Sequence, residues 1–119
     1  MAIYRLIAFT DPVAGRDQEY NDWYNNVHLP DVVAIPGFVS AQRFVLKIAT
    51  AGEIKNKYLA IYDMETDDPA ALMAEVGRRI DAEQIILSQA LDTTAENSGI
   101  FEPCSDIVYA PSPPQSGPG

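Results

Sequence analysis

An unbroken β-prone run near the amino terminus, Ile3–Thr10, constrains the fold of this chain more than any other feature. Asp11-Pro12 closes it, because proline has no N–H for a ladder. The alternating faces are Ile3, Arg5, Ile7, Phe9 and Tyr4, Leu6, Ala8, Thr10, and both are largely apolar. A strand of this kind has to be covered on both sides. One layer of helices covers one side only, so the second cover must come from elsewhere.

The remaining elements follow from periodicity and punctuation. Asp17 is expected to cap a helix, with Glu19 in its first turn. Tyr20, Trp23, Tyr24 and Val27 then fall at i, i+3, i+4 and i+7, one apolar stripe, and Asn21, Tyr24 and His28 form a second line beside it. Pro30 is expected to end this helix near His28, leaving residues 29–34 as a short second piece before an Ile35-Pro36-Gly37 turn. Residues 38–49 read as a strand with Phe38, Ser40, Gln42 and Phe44 on one face. A loop at 50–57 leads to a third strand at 58–64, which should pair antiparallel with the second.

Asp68-Pro69 opens a second helix with Asp68 as N-cap, and Leu72, Met73, Val76 and Ile80 give it a buried stripe that reads as core. Gly77 costs that helix about 1 kcal/mol relative to Ala, unless close packing requires it. Residues 81–90 extend the helix or start another. Residues 99–109 form the last strand, with Pro103 implying an edge or a bulge. The order β-α-β-β-α-β predicts an α+β, ferredoxin-like fold, with a four-stranded antiparallel sheet and two helices on one face. One domain spans 1–110, and 111–119 has the Pro/Gly/Ser composition of a disordered tail. A second copy packed sheet to sheet would cover both open faces at once, so a homodimer is expected.

Charge narrows the partners. Eight Lys and Arg against 17 Asp and Glu give a net charge of −9, which disfavours nucleic acid and anionic membrane. The acidic cluster at 63–68 reads as a solvated loop feeding a helix start, and no carboxylate or His spacing suggests a metal site. Lone Cys104 cannot form an internal disulfide and has no basic neighbour to activate it, so a cytoplasmic setting is expected.

The segment EYNDWYNNVHLPD at 19–31, followed by IPGFVSAQRF at 35–44, resembles the EthD-like branch of the dimeric α/β-barrel superfamily. Tyr20, Asn21, Trp23, Tyr24, His28, Pro30, Pro36, Gly37 and Arg43 fill the pattern's positions. The resemblance implies a homodimer with one ligand pocket per subunit, between helices and sheet. That superfamily holds polyketide cyclases, cofactor-free monooxygenases, haem-degrading enzymes, dehydratases and lyases, so the resemblance specifies a fold better than a reaction.

His28, the one histidine, is the side chain suited to proton transfer near neutral pH. Its competing role is to cap carbonyls at a helix end. Tyr24 would donate its phenol to a substrate oxygen, so His28 and Tyr24 are the candidate catalytic pair. Asn21, Trp23, Tyr20 and Arg43 are candidates for substrate binding, with Trp23 and Tyr20 also serving as core wall. Arg43 alternatively makes a salt bridge. A haem-ligand role for His28 has no other residue supporting it, and no cofactor is expected. The reading is a cofactor-independent enzyme of lyase, cyclase or isomerase type, acting on a small, apolar, oxygenated ligand of aromatic or polyketide-like character. Alternatives are a non-catalytic binding or accessory protein with the same pocket, and a cofactor-free monooxygenase.

Overall fold

The computed structural model describes residues 2–112. The elements are β1 (Ile3–Thr10), α1 (Asp17–Trp23), a wide π-helical turn (Tyr24–His28), α2 (Leu29–Val33), β2 (Phe38–Val45), β3 (Tyr58–Glu65), α3 (Pro69–Asp81) and β4 (Asn97–Phe101). One antiparallel sheet runs in the order β2-β3-β1-β4. This is the α+β, ferredoxin-like architecture that the alternation of elements predicts, with the helices on one face. Most of the expected tail, 113–119, lies outside the described residues.

The register fixes which side chains face the helices. Leu6 pairs with Tyr62 and Ala8 with Ala60, while Phe38 and Tyr4 both pair with Met64. These residues share one face, and Leu6, Phe38, Ala60, Tyr62 and Met64 are buried with Tyr20, Tyr24, Val32 and Ile35 from the helical segment. The opposite face carries Ile7, Phe9, Phe44, Leu59, Ile61 and Phe101, together with an Arg5–Asp63 ion pair at 2.8 Å. No described helix or strand lies over that second face; the loop between β2 and β3 borders it near Phe9, Phe44 and Leu59, and Phe44 and Phe101 are exposed on it.

Several expected boundaries move, each for a physical reason. A β-bulge between Phe38 and Ser40 sends Phe38 to the helix side, so it does not share a face with Ser40, Gln42 and Phe44. β2 ends at Val45 rather than at residue 49, and Asp11 draws the chain back by accepting from the Lys57 backbone N–H and the Asn56 amide. α3 stops at Asp81, because Glu83 adopts a left-handed conformation (φ 60°) and the Gln84 and Ile85 N–H groups turn back onto the Arg79 carbonyl. Residues 82–96 are therefore a loop. β4 runs from Asn97 to Phe101 and ends before Pro103, which has no N–H to offer.

The first helical segment departs most from expectation. Arg16, not Asp17, occupies the N-cap position. Pro30 does not end the helix. Instead the turn before it widens, the Leu29 N–H reaches the Tyr24 carbonyl five residues back, and the chain continues helical to Val33. A proline ring normally clashes with the carbonyl four residues earlier, and a π turn opens that spacing. His28 therefore lies inside the helical segment rather than capping its end.

Candidate functional site

Between the helical layer and the sheet lies a cavity of about 470 Å³. Its floor is Leu6, Ala8 and Thr10 of β1 with Tyr62 of β3. Trp23, Tyr24, His28 and Val32 form one wall, and Met73, Val76 and Ile80 of α3 form the other. Leu87, Leu91 and Glu96 of the 82–96 loop close the remaining side. That loop is fastened to α1 and to the turn before it: the Trp23 indole N–H donates to the Ile86 carbonyl at 2.8 Å, and the Val13 N–H to the Ala90 carbonyl at 2.7 Å. A half-open, largely apolar cavity with a few convergent polar groups suits a small organic ligand.

The π turn places three of the candidate residues on this wall. His28 stacks on Trp23 with centroids 4.7 Å apart and meets the Tyr24 ring edge-on at 5.1 Å. Burial holds its imidazole well below the usual value, at about 4, with Asp31 pulling the other way, so it is neutral at pH 7. Among the described residues, its Nδ1 is buried without a hydrogen-bond partner. A buried nitrogen of this kind calls for a partner that the described residues do not supply. Tyr24 accepts a hydrogen bond from the Tyr62 hydroxyl at 3.3 Å. Burial pushes both phenols up, so both stay protonated as donors.

The other three candidates stand behind that wall. Tyr20 is fully buried, hydrogen-bonded to the Thr10 hydroxyl, and does not reach the cavity. Asn21 donates to the Tyr58 hydroxyl at 3.3 Å, away from His28. Arg43 makes no salt bridge among the described residues. Its guanidinium lies over the rings of Tyr24, Tyr20 and Tyr58, at 4.4, 5.1 and 5.1 Å, and donates to Asn25 Oδ1 at 2.8 Å. The positive charge faces the backs of the tyrosines, a cation–π cage, and lowers the phenol values that burial raises.

No protein-family model matches the sequence, and no curated protein matches it. Solved structures do match. An EthD family protein from Bacillus halodurans has 17% identity and a TM-score of 0.60, covering 85% of this chain and 98% of its own. SnoaB, a cofactor-independent oxygenase from Streptomyces nogalater, has 17% identity and a TM-score of 0.59 over 90% of this chain and 98% of its own. The haem-degrader MhuD from Mycobacterium tuberculosis, with two haems in its active site, has 19% identity and a TM-score of 0.57 over 88% and 99%. These likenesses show the fold: this chain shares the α+β, ferredoxin-like architecture of an EthD family protein and of two oxygen-using or haem-degrading neighbours.

Within this fold, the segment 19–31 builds the cavity wall, while the 35–44 segment supplies the Pro-Gly turn and β2. Gly37 is required there: its φ is +110°, and an added Cβ would lie 2.9 Å from Leu72 Cδ2. Sequence reasoning misses several contributors. Thr10, at the end of β1, and Tyr62, inside β3, belong to apolar strands and carry no distinguishing signal. The stripe Met73, Val76, Ile80 reads as core, yet it lines the cavity, and only Leu72 is fully packed. Glu96 sits in a polar stretch with no motif around it. Among the described residues no group of three or more His, Cys, Asp or Glu could hold a metal, and no helix is long and apolar enough to cross a membrane.

Proposed function

We propose that this chain is a cofactor-independent enzyme that binds a small, largely apolar, oxygenated ligand in the cavity and moves a proton beside its carbonyl. The observation that carries this reading is the shared cavity wall where the unpartnered His28 imidazole packs edge-on against the Tyr24 ring. A neutral imidazole is already in the form that accepts a proton. Its low basicity restricts it to protons made acidic by a neighbouring oxygen, which the Tyr24 phenol would hold. As negative charge forms on that oxygen, an imidazolium beside it gains an ion-pair partner, so the base strengthens in the transition state. Elimination, cyclisation, isomerisation and decarboxylation share this step, and an activity of lyase or isomerase type is the reading we favour. Cofactor-free oxygenation of an electron-rich ligand begins with the same deprotonation, and oxygen uptake during turnover separates it from the others. Trp23 forms the ligand wall, and Tyr20, Asn21 and Arg43 hold that wall from behind.

The stacking of His28 on Trp23 favours a second reading, a non-catalytic binder in which the imidazole is simply part of an aromatic wall. One pair of variants decides between them once a pocket screen with aromatic ketones has supplied a ligand. As general base, His28→Gln lowers turnover by about a hundredfold to ten-thousandfold with little change in binding. Full turnover in that variant removes His28 from catalysis. Tyr24→Phe costs less, since the ring wall remains. The uncovered sheet face supports a homodimer in which a second copy packs on Ile7, Phe9, Phe44 and Ile61. Such a contact should bury roughly 2,000 Å² or more in total. A well-folded monomer by light scattering at micromolar concentration rules it out.

A further inference from the structure

The charges around the cavity are arranged unevenly. Glu96 is the one carboxylate on its lining, and no Lys or Arg side chain reaches it among the described residues. Arg5, Arg16, Lys57, Arg78 and Arg79 are each engaged with a carboxylate elsewhere. Arg43 is the cation nearest the site, and it is held behind the tyrosines, 4.4 Å from the Tyr24 ring. Glu96 itself is exposed at the mouth and has no hydrogen bond or ion pair among the described residues. Its charge still reaches across to Tyr24, whose phenol it pushes further up, against the opposing pull of Arg43. The cavity therefore has a negative mouth and a deep end backed by a cation.

Resting on the reading that this cavity binds a small organic ligand, we propose that Glu96 makes it selective for uncharged ligands and rejects carboxylates. An anion entering this largely apolar cavity gives up part of its hydration and meets no cation on the lining, Arg43 being held behind the tyrosine rings, while Glu96 adds direct repulsion. A neutral ligand avoids both costs. Its oxygen reaches the Tyr24 end, where charge that forms later meets a phenol donor and the cation behind it. Haem, which the mycobacterial neighbour holds, carries two carboxylates that no cation on this lining would meet. The residues present do not fit it.

The test is calorimetric titration at pH 7 and low salt with two probes of matched shape, 2-naphthylmethanol and 2-naphthoate. The wild-type protein should bind the alcohol at least about thirtyfold more tightly than the acid. Glu96→Gln should narrow that gap by about tenfold, through tighter binding of naphthoate and an unchanged affinity for the alcohol. Glu96→Lys should place naphthoate level with the alcohol or ahead of it. Equal binding of both probes by the wild type, or an unchanged gap in both variants, overturns the selectivity while leaving the cavity reading intact. If neither probe binds the wild type, the cavity reading falls and the selectivity with it.

Discussion

The two helical stretches on the covered face of the sheet are built by opposite means. α3 follows the rules for an isolated helix. Asp68 caps it by accepting from the Ala71 N–H at 3.0 Å, Pro69 opens it, and Glu75 pairs with both Arg78 and Arg79 at 2.7 Å. The 17–33 stretch breaks those rules. It has no side-chain cap, carries a proline in its interior, widens to a π turn and buries an unpartnered imidazole nitrogen. Chains tolerate such departures where something other than stability is served. The contrast teaches that the 17–33 stretch is where specific chemistry is placed, while α3 serves as scaffold and apolar wall.

Substitutions can break or sharpen that contrast. The largest loss of stability should come from the scaffold: Leu72→Ala removes a buried anchor and should cost about 2–4 kcal/mol by urea denaturation, with ligand affinity unchanged. A large loss of affinity would mean that Leu72 itself holds the cavity wall of α3 in place. Next is pH. The folded value of His28, about 4, lies below the unfolded value near 6.5, so the unfolded chain binds the extra proton between them. Its contribution is complete above about pH 6.5 and is lost as pH falls toward 4, by at most about 3 kcal/mol. His28→Gln should flatten that part of the stability profile, and an unchanged profile would place the imidazole in solvent.

Gly37→Ala, at the junction where the 17–33 stretch meets Leu72 of α3, should cost about 1–3 kcal/mol through its positive φ and the 2.9 Å approach. Removing the cap with Asp68→Ala should cost about 1 kcal/mol. The smallest effect is a gain. Nothing lies within 4 Å of a Cβ placed at Gly77, so close packing does not demand glycine there. Gly77→Ala should raise stability by about 0.5–1 kcal/mol. A loss at that position would show that α3 needs to bend.

Much of the fold is legible in the sequence because Ile3–Thr10, the Asp68-Pro69 start and the aromatic stripe each carry a local signal. The site is legible in part. Trp23, Tyr24 and His28 announce themselves by type and spacing, and the structure brings them to one wall. Periodicity says which face of α3 is apolar but not what stands opposite, so Met73, Val76 and Ile80 cannot be told from packed core. The bulge after Phe38 leaves no mark in an apolar strand, yet it reverses that residue's side. Glu96 becomes informative only when the chain folds and leaves it as the one charge on an apolar lining.

The π turn at Tyr24–His28 has a consequence for tolerance to changes in length. It holds one residue more than an α-helical path would use, so it sets the phase of α2 against α1. Deleting a single residue between 24 and 28 would let the segment close up as an ordinary helix with α2 kept in phase with α1, so Val32 would keep its buried seat. Pro30 would then press on the carbonyl that the wide turn now spares. A shortened chain of that kind could keep the sheet and both flanking helices and still lose the aromatic wall, because the turn that shapes it would be gone.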